Sequence, residues 1–243
     1  MRYGIFSDVH ANFEALEAVL ADMRTLGVGR PVCLGDTVGY NGSPAECLET
    51  VRALGCPTVR GNHDHETARP GVPDHFNHMA VQGILYSRSR LDPDQRAYLG
   101  ALPYQMDLPG EACTLVHATL DKPESWRYVT GPAEAAHSLG WQKTPVAFFG
   151  HTHVPHLFVD DGERVAEYFY RKVLLDPAKR YLVNVGSVGQ PRDGDWRAAY
   201  AVYDSADRSL ELRRLPYDIA KAQAKIKKAG LPERLAERLA AAR

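Results

Sequence analysis

The chain has 243 residues, of which 44% are hydrophobic, and its 29 lysines and arginines against 30 aspartates and glutamates leave a formal net charge of −1. This composition is typical of a globular protein and excludes a mainly disordered chain, a collagen and a miniprotein framed by disulfides. The near-neutral charge gives no electrostatic reason to expect extensive binding to nucleic acid or to an anionic membrane.

Neither a secretion signal nor a membrane span is expected from the sequence. The N-terminal MRYGIFSDVH has no apolar segment of signal-peptide length, and no apolar run approaches the roughly 18 residues that cross a bilayer. The four cysteines form no CxxC pair, so we expect reduced thiols rather than a disulfide or a thiolate zinc site. These features favour a cytoplasmic protein.

Strands and helices alternate over the first 60 residues. The predicted elements are a strand over 2–7, a helix over 11–26, a strand over 32–35, a helix over 44–54 and a strand over 58–60. Gly27 and Gly55 end the two helices, and Ser43 is a good N-cap for the second because Pro44 occupies its first position. The βαβαβ order implies a largely parallel sheet.

The rest of the chain changes in character near residue 155. Before that point we predict helices over 76–88, 93–101 and 132–140 and strands over 112–117 and 145–149. From 155 to 214 short strands follow one another with few helices between them, which favours antiparallel or mixed pairing. We expect one domain over 1–215, built on two packed sheets, and a helical tail over 216–243 packed on it or extending it.

Polar side chains follow five of the predicted apolar strands, at the point where each strand ends. They are Asp8 and His10, then Asp36, then Asn62, His63 and Asp64, then His117, and finally His151 and His153. Because ligands of open α/β sheets bind outside the carboxyl ends of the strands, we expect these five clusters to meet at one edge of one sheet.

Seven of these residues offer nitrogen or oxygen donors to metal ions: Asp8, His10, Asp36, Asn62, His117, His151 and His153. Seven donors without a thiolate are too many for one tetrahedral zinc ion, whereas two ions that share a bridging carboxylate fit better. The donor types suit Mn²⁺, Fe or Zn²⁺ more than Ca²⁺. A single HxH or DxH is usually a surface pair or a core histidine, so the prediction rests on the five clusters together.

In this order the motifs resemble those of the calcineurin-like metallophosphoesterase superfamily. They are Asp8-Val-His10, Gly35-Asp36, Gly61-Asn62-His63-Asp64, His117 and Gly150-His151-Thr152-His153. The stretches SDVHANFEALEAVL and NVGSVGQPRDGDWRAAYAVYD look like a bacterial and archaeal phosphodiesterase branch, often labelled diadenosine-tetraphosphatase-like. The resemblance implies an α/β fold, a four-layer α/β/β/α sandwich of two mixed sheets flanked by helices, with the metal site at the C-terminal ends of the strands.

The resemblance also implies roles for the site residues. Asp8, His10, Asp36 and His153 are expected to hold the first metal ion, and Asp36 to bridge to a second ion that Asn62, His117 and His151 complete. His63 resembles the histidine that contacts the phosphate and protonates or stabilises the leaving oxygen. Asp64 either orients His63 or is an ordinary turn residue.

The implied activity is hydrolysis of a phosphoester by a hydroxide that two metal ions activate. Relatives that clamp a terminal phosphate carry an arginine just after the Gly-Asp motif, where this chain has tyrosine and asparagine. We therefore expect a preference for phosphodiesters. The candidate substrate contacts are Tyr40 and Asn41 near the bridging carboxylate, Arg60 and Arg192 for phosphate, and Trp126 and Tyr128, with Tyr40, as a wall for a base.

Other functions remain open at this point. One is a nucleotide or dinucleoside-polyphosphate hydrolase, and another is a non-catalytic metal-binding scaffold such as the retromer subunit that resembles this superfamily. A nuclease is disfavoured because no dense cluster of basic residues lies near the motifs. The expected partner is a small phosphoester or nucleotide, with no membrane and no nucleic acid, and the basic tail leaves a homo-oligomer open.

Overall fold

Two β-sheets lie against each other at the centre of the computed structural model, which describes all 243 residues. The strands are β1 (Arg2–Phe6), β2 (Arg30–Cys33), β3 (Gln105–Asp107), β4 (Cys113–Val116), β5 (Val146–Phe149), β6 (His156–Asp160), β7 (Val165–Tyr168), β8 (Lys172–Leu174), β9 (Arg180–Asn184), β10 (Ala198–Asp204) and β11 (Ser209–Leu215). The first sheet has the order β2-β1-β10-β11-β8 and the second β3-β4-β5-β9-β6-β7. Each sheet contains parallel and antiparallel pairs, so both are mixed.

Eight helices surround the sheets. They are α1 (Phe13–Thr25), α2 (Pro44–Leu54), α3 (Asn62–Ala68), α4 (His78–Arg90), α5 (Pro93–Ala101), α6 (Pro132–Leu139), α7 (Ile219–Lys228) and α8 (Glu233–Ala241). One short 3₁₀ turn covers Pro123–Ser125. None of the helices combines the length and the apolar character needed to cross a membrane.

Three layers of apolar side chains join the sheets and helices. The layer between the sheets contains Ile5 and Val32 from the first sheet and Leu115 and Phe148 from the second. On the outer face of the first sheet, β10 packs against α1, α7 and α8, and on the outer face of the second sheet α6 covers β5 and β9. This arrangement confirms the predicted sandwich of two mixed sheets flanked by helices.

The C-terminal residues form two helices rather than one. Gly230, with φ of +70°, and Pro232 separate α7 from α8. Both helices contribute to the apolar layer that α1 also lines, through Ile226 of α7 and Leu235 of α8 among others. The division between domain and tail at residue 215 stays a prediction.

Several local predictions were wrong. Residues 58–60 do not form a strand: Thr58 makes one bridge with Cys33, and the backbone N–H of Arg60 then turns away to the carbonyl of Pro103. Ser43 occupies the N-cap position of α2, but its side chain makes no cap bond and instead accepts a hydrogen bond from Lys225 Nζ at 3.0 Å. The short elements α3, β3 and β8 were not predicted, because three to seven residues carry too little apolar periodicity.

Candidate metal centre and its cavity

The expected metal donors meet in a buried region where strands of both sheets end. Asp8 and His10 follow β1, Asp36 follows β2, Asn62 begins α3, His117 follows β4, and His151 and His153 follow β5. The expectation of a single sheet edge was therefore wrong, because β1 and β2 belong to one sheet and β4 and β5 to the other. All seven residues are buried.

The first donor group consists of Asp8, His10 and His153. Asp8 Oδ1 lies 3.2 Å from His153 Nε2 and 3.7 Å from His10 Nε2, and it has no hydrogen-bond donor. His10 Nδ1 donates to the carbonyl of Val38 at 3.1 Å, and His153 Nδ1 donates to the carbonyl of Gln190 at 2.6 Å. These bonds leave the Nε2 lone pairs of both rings facing the Asp8 carboxylate. A divalent cation bound among these three groups would accept both lone pairs and balance the negative charge.

The second donor group consists of Asp36, His117 and Asn62. His117 Nε2 lies 3.4 Å from Asp36 Oδ2 and 3.2 Å from Asn62 Oδ1, while its Nδ1 donates to the carbonyl of Leu34 at 2.8 Å. Asp36 Oδ2 is also 3.6 Å from His10 Nε2. Asp36 therefore lies between the two groups, where a carboxylate shared by two ions has to be.

His151 differs from the other histidines in its tautomer. Its Nε2 donates to the carbonyl of Trp126 at 2.9 Å, so Nδ1 is the nitrogen left for a metal ion. The ring centroid is 5.0 Å from that of His117, and its other neighbour is Tyr128, stacked at 4.2 Å. The backbone N–H of His151 donates to Asp8 Oδ2 at 3.0 Å, which ties the two sheets together at the site.

His63 lies beside Asp36. Its backbone N–H donates to Asp36 Oδ1 at 2.8 Å, and it forms with His10 and Asp36 a third cluster whose donor atoms lie within 4.8 Å of one another. Its Nδ1 is buried without a hydrogen-bond partner. Burial holds the pKa of His63 well below its usual value, although the charge of Asp36 opposes this shift.

Of the two alternatives for Asp64, direct orientation of His63 does not agree with the structure, because the Asp64 carboxylate bonds only to backbone N–H groups. Oδ1 accepts from the backbone N–H of Thr37 at 2.9 Å and of Val38 at 3.3 Å, and Oδ2 accepts from Gly61 N–H at 3.2 Å. Burial, together with the neighbouring charge of Asp36, raises the pKa of Asp64 to about 7. Asp64 therefore links the loop after Asp36 to the start of α3, and both of these segments carry residues of the site.

The electrostatics of the centre set the protonation states of its donors. Burial would raise the pKa of Asp36, but the neighbouring histidines outweigh it and hold the pKa below its usual value. Burial and His117 lower the pKa of His151 to about 4, and burial and Arg192 lower that of His153 to about 3. Ionised Asp36 and neutral His151 and His153 are the forms that bind metal ions. Burial would lower the pKa of His117, but the charges of Asp36 and Asp8 outweigh it and raise the pKa to about 9, so a metal ion at His117 Nε2 has to displace a proton.

Five of the seven donors have a left-handed backbone, which is unusual for residues with a side chain. The φ angles are 54° at Asp8, 47° at His10, 52° at Asp36, 66° at His151 and 63° at His153. Each such residue costs on the order of 1 kcal/mol and persists only when its surroundings fix it. Here backbone hydrogen bonds between the loop after β1 and the loop after β2 fix the conformation. One of them runs from His10 N–H to the carbonyl of Asp36 at 2.8 Å.

A cavity of about 860 Å³ opens from the metal centre to solvent. Its lining includes His63, Tyr40 and Arg192 on one side and Trp126 and Tyr128 on the other. Residues of the segment 66–77, which runs from the end of α3 to the start of α4, form a further wall. Phe76 of this wall meets His63 edge-on with ring centroids 5.4 Å apart.

Two expected substrate contacts do not reach the cavity. Arg60 lies over the Tyr104 ring and donates to the carbonyl oxygens of Gly100 and Leu102, so it serves the end of α5. Asn41 is buried, and its Nδ2 donates to the carbonyl of His10 at 2.7 Å. Both were wrong as phosphate or substituent contacts, because backbone carbonyl groups occupy their donors.

Comparison with known proteins identifies the family. The sequence model described as the calcineurin-like phosphoesterase superfamily domain matches residues 1–208. The Methanocaldococcus jannaschii protein MJ0912, which is itself uncharacterized, is 38% identical over 238 residues, covering 97% of this chain and 96% of that protein.

Solved structures agree in fold. The crystal structure of a metallophosphoesterase from Sphaerobacter thermophilus is similar with a TM-score of 0.89 and 40% identity, covering 100% of this chain and 99% of that one. The hypothetical protein PH1004 from Pyrococcus horikoshii OT3 shares the fold with a TM-score of 0.80 at 17% identity, covering 98% of this chain and 97% of that one. Calcineurin-like phosphoesterases use divalent metals, and the buried carboxylate and imidazole donors fit such ions. With its fold, its buried Asp and His clusters and a family match over most of its length, the chain belongs to the calcineurin-like phosphoesterase superfamily.

Proposed function

We propose that the protein hydrolyses small phosphodiesters at a centre of two divalent metal ions. The observation that carries this proposal is the position of Asp36, whose Oδ2 lies 3.6 Å from His10 Nε2 and 3.4 Å from His117 Nε2. A carboxylate between two donor groups supports two neighbouring ions rather than one. The first ion would be held by Asp8, His10, Asp36 and His153, and the second by Asp36, Asn62, His117 and His151.

The donor set favours Mn²⁺, Fe or Zn²⁺ in this centre, since imidazole and carboxylate groups suit these metals. Two such ions, when bound, would supply positive charge that stabilises phosphoryl oxygens and would lower the pKa of an attacking water. The residues of the chain fix the geometry, because Val38, Gln190 and Leu34 hold the imidazole rings through their carbonyl groups. No protein nucleophile is required.

His63 is proposed as the residue that stabilises the leaving oxygen. It lines the cavity, and the rings of Tyr40 at 4.5 Å and Phe76 at 5.4 Å hold its imidazole in place. Because burial lowers its pKa, His63 is neutral at pH 7 and presents one N–H. A neutral ring suits hydrogen bonding to the phosphoryl or leaving oxygen better than transfer of a complete proton.

The preference for diesters is supported by the small number of arginines available to bind phosphate in the cavity. A monoester carries a dianionic phosphate that an added bidentate arginine binds well, whereas a diester carries one charge. Arg60 points away to backbone carbonyl groups, which leaves Arg192 as the arginine nearest the metal donors on the cavity wall. The aromatic side chains of Trp126 and Tyr128 leave apolar surface for a second substituent.

The test compares bis(p-nitrophenyl) phosphate with p-nitrophenyl phosphate on metal-loaded enzyme at one pH. Both substrates release the same leaving group, so the comparison isolates the charge of the phosphate and the second substituent. We expect higher kcat/KM for the diester. The opposite order overturns the proposed preference for diesters. If verified metal-loaded protein hydrolyses neither ester, the proposal that the protein is a phosphoesterase is overturned as well.

A further inference from the structure

One edge of the His63 ring is closed by the backbone of the loop that follows Asp36. A Cβ built on Gly39 would lie 2.3 Å from His63 Nδ1 and 2.9 Å from Cγ, so only glycine fits at this position. Nδ1 is buried and has no hydrogen-bond partner. The Gly39 hydrogen on that side points at Nδ1, where it meets a lone pair more easily than a second hydrogen. The proton of the neutral ring therefore belongs on Nε2, the nitrogen left for the substrate.

The turn that makes this contact has an unusual backbone. Gly39 has φ of +97° and Tyr40 has φ of +57°, a left-handed conformation that a tyrosine keeps only when its surroundings fix it. The turn also carries the Tyr40 ring, whose centroid is 4.5 Å from that of His63. Two adjacent residues thus hold His63, Gly39 through its backbone and Tyr40 through its ring. Relaxation of the turn would move both contacts together.

Helix α4 fixes this turn through two residues on one of its faces. Ser87 Oγ accepts a hydrogen bond from the backbone N–H of Gly39 at 3.0 Å, and Ser87 is buried. One helical turn earlier, the backbone of Gly83 packs on Tyr40, because a Cβ there would lie 2.3 Å from the Tyr40 backbone nitrogen. Residues four apart share a helix face, so Gly83 and Ser87 form one contact surface for the turn.

Ser87 continues a series of side-chain bonds to this loop. Asp64 accepts from two consecutive N–H groups, those of Thr37 and Val38. Ser87 accepts from the next N–H along the chain, at the buried glycine that touches the His63 ring. Without Ser87 that N–H would be buried with no acceptor, and the turn would gain freedom where it meets the ring.

We propose that Ser87 is a positioning residue for His63, which acts on the reaction through the turn of Gly39 and Tyr40. This inference rests on the proposed function, since His63 is the residue assigned there to the leaving oxygen. The Ser87 hydroxyl holds the turn against the ring, and the turn keeps Nε2 directed at the substrate. A misaligned donor stabilises a developing charge less, and a displacement of about 1 Å can cost about 10²-fold in rate.

The kinetic arm of the test uses two diesters that differ in their leaving group, methyl p-nitrophenyl phosphate and methyl phenyl phosphate. Phenolate is the poorer leaving group, so its departure depends more on His63. With metal-loaded protein we expect Ser87→Ala to lose about tenfold in kcat on the phenyl ester and less than about threefold on the p-nitrophenyl ester. A general loss of metal or of fold would lower both rates alike.

A double-mutant cycle shows whether Ser87 acts through His63. Ser87→Ala should leave the ratio of the two rates unchanged when His63→Ala is already present, because the donor that Ser87 positions is then missing. An equal effect of Ser87→Ala on the ratio in both backgrounds overturns the proposal.

The matched control is Ser138→Ala. Ser138 of α6 is also a buried helical serine, and its Oγ accepts a hydrogen bond from the backbone N–H of Leu120 at 3.1 Å. We expect this variant to keep the wild-type ratio. A ratio that changes as much as in Ser87→Ala would show that losing any buried serine bond is sufficient, which overturns the proposal.

The spectroscopic arm needs no catalysis. In isotope-labelled protein loaded with Zn²⁺, the nitrogen chemical shifts of the His63 ring report which nitrogen carries the proton, and His63→Ala identifies the signals. We expect a single tautomer with the proton on Nε2 in wild type and in Ser138→Ala, and a mixture of tautomers in Ser87→Ala. Unchanged His63 signals in Ser87→Ala overturn the positioning role.

The two arms separate failure of the positioning role from failure of the enzyme. If both esters are hydrolysed and Ser87→Ala changes neither the ratio nor the signals, the positioning role is overturned and the proposed function stands. If neither ester is hydrolysed but Ser87→Ala alters the His63 signals, the contact stands and the hydrolase is overturned. If Ser87→Ala is misfolded by circular dichroism, Ser87→Cys decides, because it keeps a similar volume but offers only a weak acceptor. An unchanged ratio in that folded variant overturns the proposal.

Discussion

Nε2 of His10 lies 3.1 Å from Nε2 of His153, and neither nitrogen has a proton to give the other. Each ring already donates its Nδ1–H to a backbone carbonyl, so two lone pairs face each other in a buried site. The Asp8 carboxylate adds negative charge at 3.2 Å from His153 Nε2. In the metal-free protein the repulsion within this cluster destabilises the folded state, and a bound cation would remove the repulsion.

Removing the metal should therefore lower the melting temperature. Ions that bind only the folded state, at about a hundred times their Kd, stabilise it by about 2.7 kcal/mol. For a chain of this size, each kcal/mol shifts the Tm by about 2–4 °C, so a fall of several degrees is expected after chelation. Calorimetric scans before and after chelation measure it, with elemental analysis to verify removal. An unchanged Tm in verified metal-free protein contradicts the prediction.

The roles proposed for Asp36 and His63 predict different effects of mutating each residue. Asp36→Asn should lose metal content and activity together, because the shared ligand is weakened. His63→Ala should retain both metals and lose about 10²–10³-fold in kcat, the usual cost of removing one hydrogen-bond donor to a charged oxygen of the transition state. Elemental analysis of both variants decides the matter: a His63→Ala protein that lacks a metal assigns His63 to the ligand set instead.

Glycines that face the donors should not tolerate a methyl group. A Cβ at Gly61 would lie 2.0 Å from Asp36 Oδ1, and one at Gly150 would lie 2.4 Å from Asp8 Oδ2. Gly61→Ala and Gly150→Ala should each displace a metal ligand and lower metal content, with about 1–3 kcal/mol of lost stability. Gly29→Ala is the control, since its added methyl meets open space and should change stability by less than about 0.5 kcal/mol. Full metal occupancy in Gly61→Ala would contradict the geometry.

Asp22 of α1 should contribute stability that acid removes. Its carboxylate accepts from Tyr200 Oη at 2.7 Å and from Arg213 Nη2 at 3.0 Å. Burial raises the pKa of Asp22, but the hydrogen bonds from Arg213 and Tyr200 outweigh it and lower the pKa from 3.8. A depressed pKa means that the stabilisation is complete above the unfolded-state pKa and is lost as pH falls through the folded-state value.

Urea unfolding from pH 7 down to pH 3 measures this contribution. We expect Asp22→Asn to be less stable than wild type by about 1–3 kcal/mol at pH 7, with the difference shrinking below pH 4. The control is Asp74→Asn, at an exposed position, which should follow wild type throughout. A difference that does not depend on pH would show that packing rather than charge makes the contribution.

The donor set was accessible to sequence reasoning because the DxH and HxH motifs each follow a buried strand. What the sequence did not reveal is which strands pair. Hydrogen bonding between β1 and β10 separates β1 from β4 and β5, and this pairing joins residues about 200 positions apart. The local sequence pattern carries no information on such long-range partners. For this reason the five clusters were predicted at the edge of one sheet, although their strands belong to two.

The sequence also does not predict the direction in which a long side chain points. Arg60 and Arg192 are similar candidates in a linear motif, yet one caps a helix and the other lines the cavity. The carbonyl groups at the end of α5 lack intrahelical donors, and Arg60 satisfies those of Gly100 and Leu102.

The division of the donors between two sheets has a consequence for how the protein is made. His10 and His153, which share the first donor group, are 143 residues apart in the chain. A nascent chain that ends before His153 has emerged from the ribosome contains no complete site, and an unfolded chain meets the entropic cost of closing that long loop before it can capture an ion. Ion loading is thus a late event that follows assembly of both sheets, because neither sheet alone presents the first donor group.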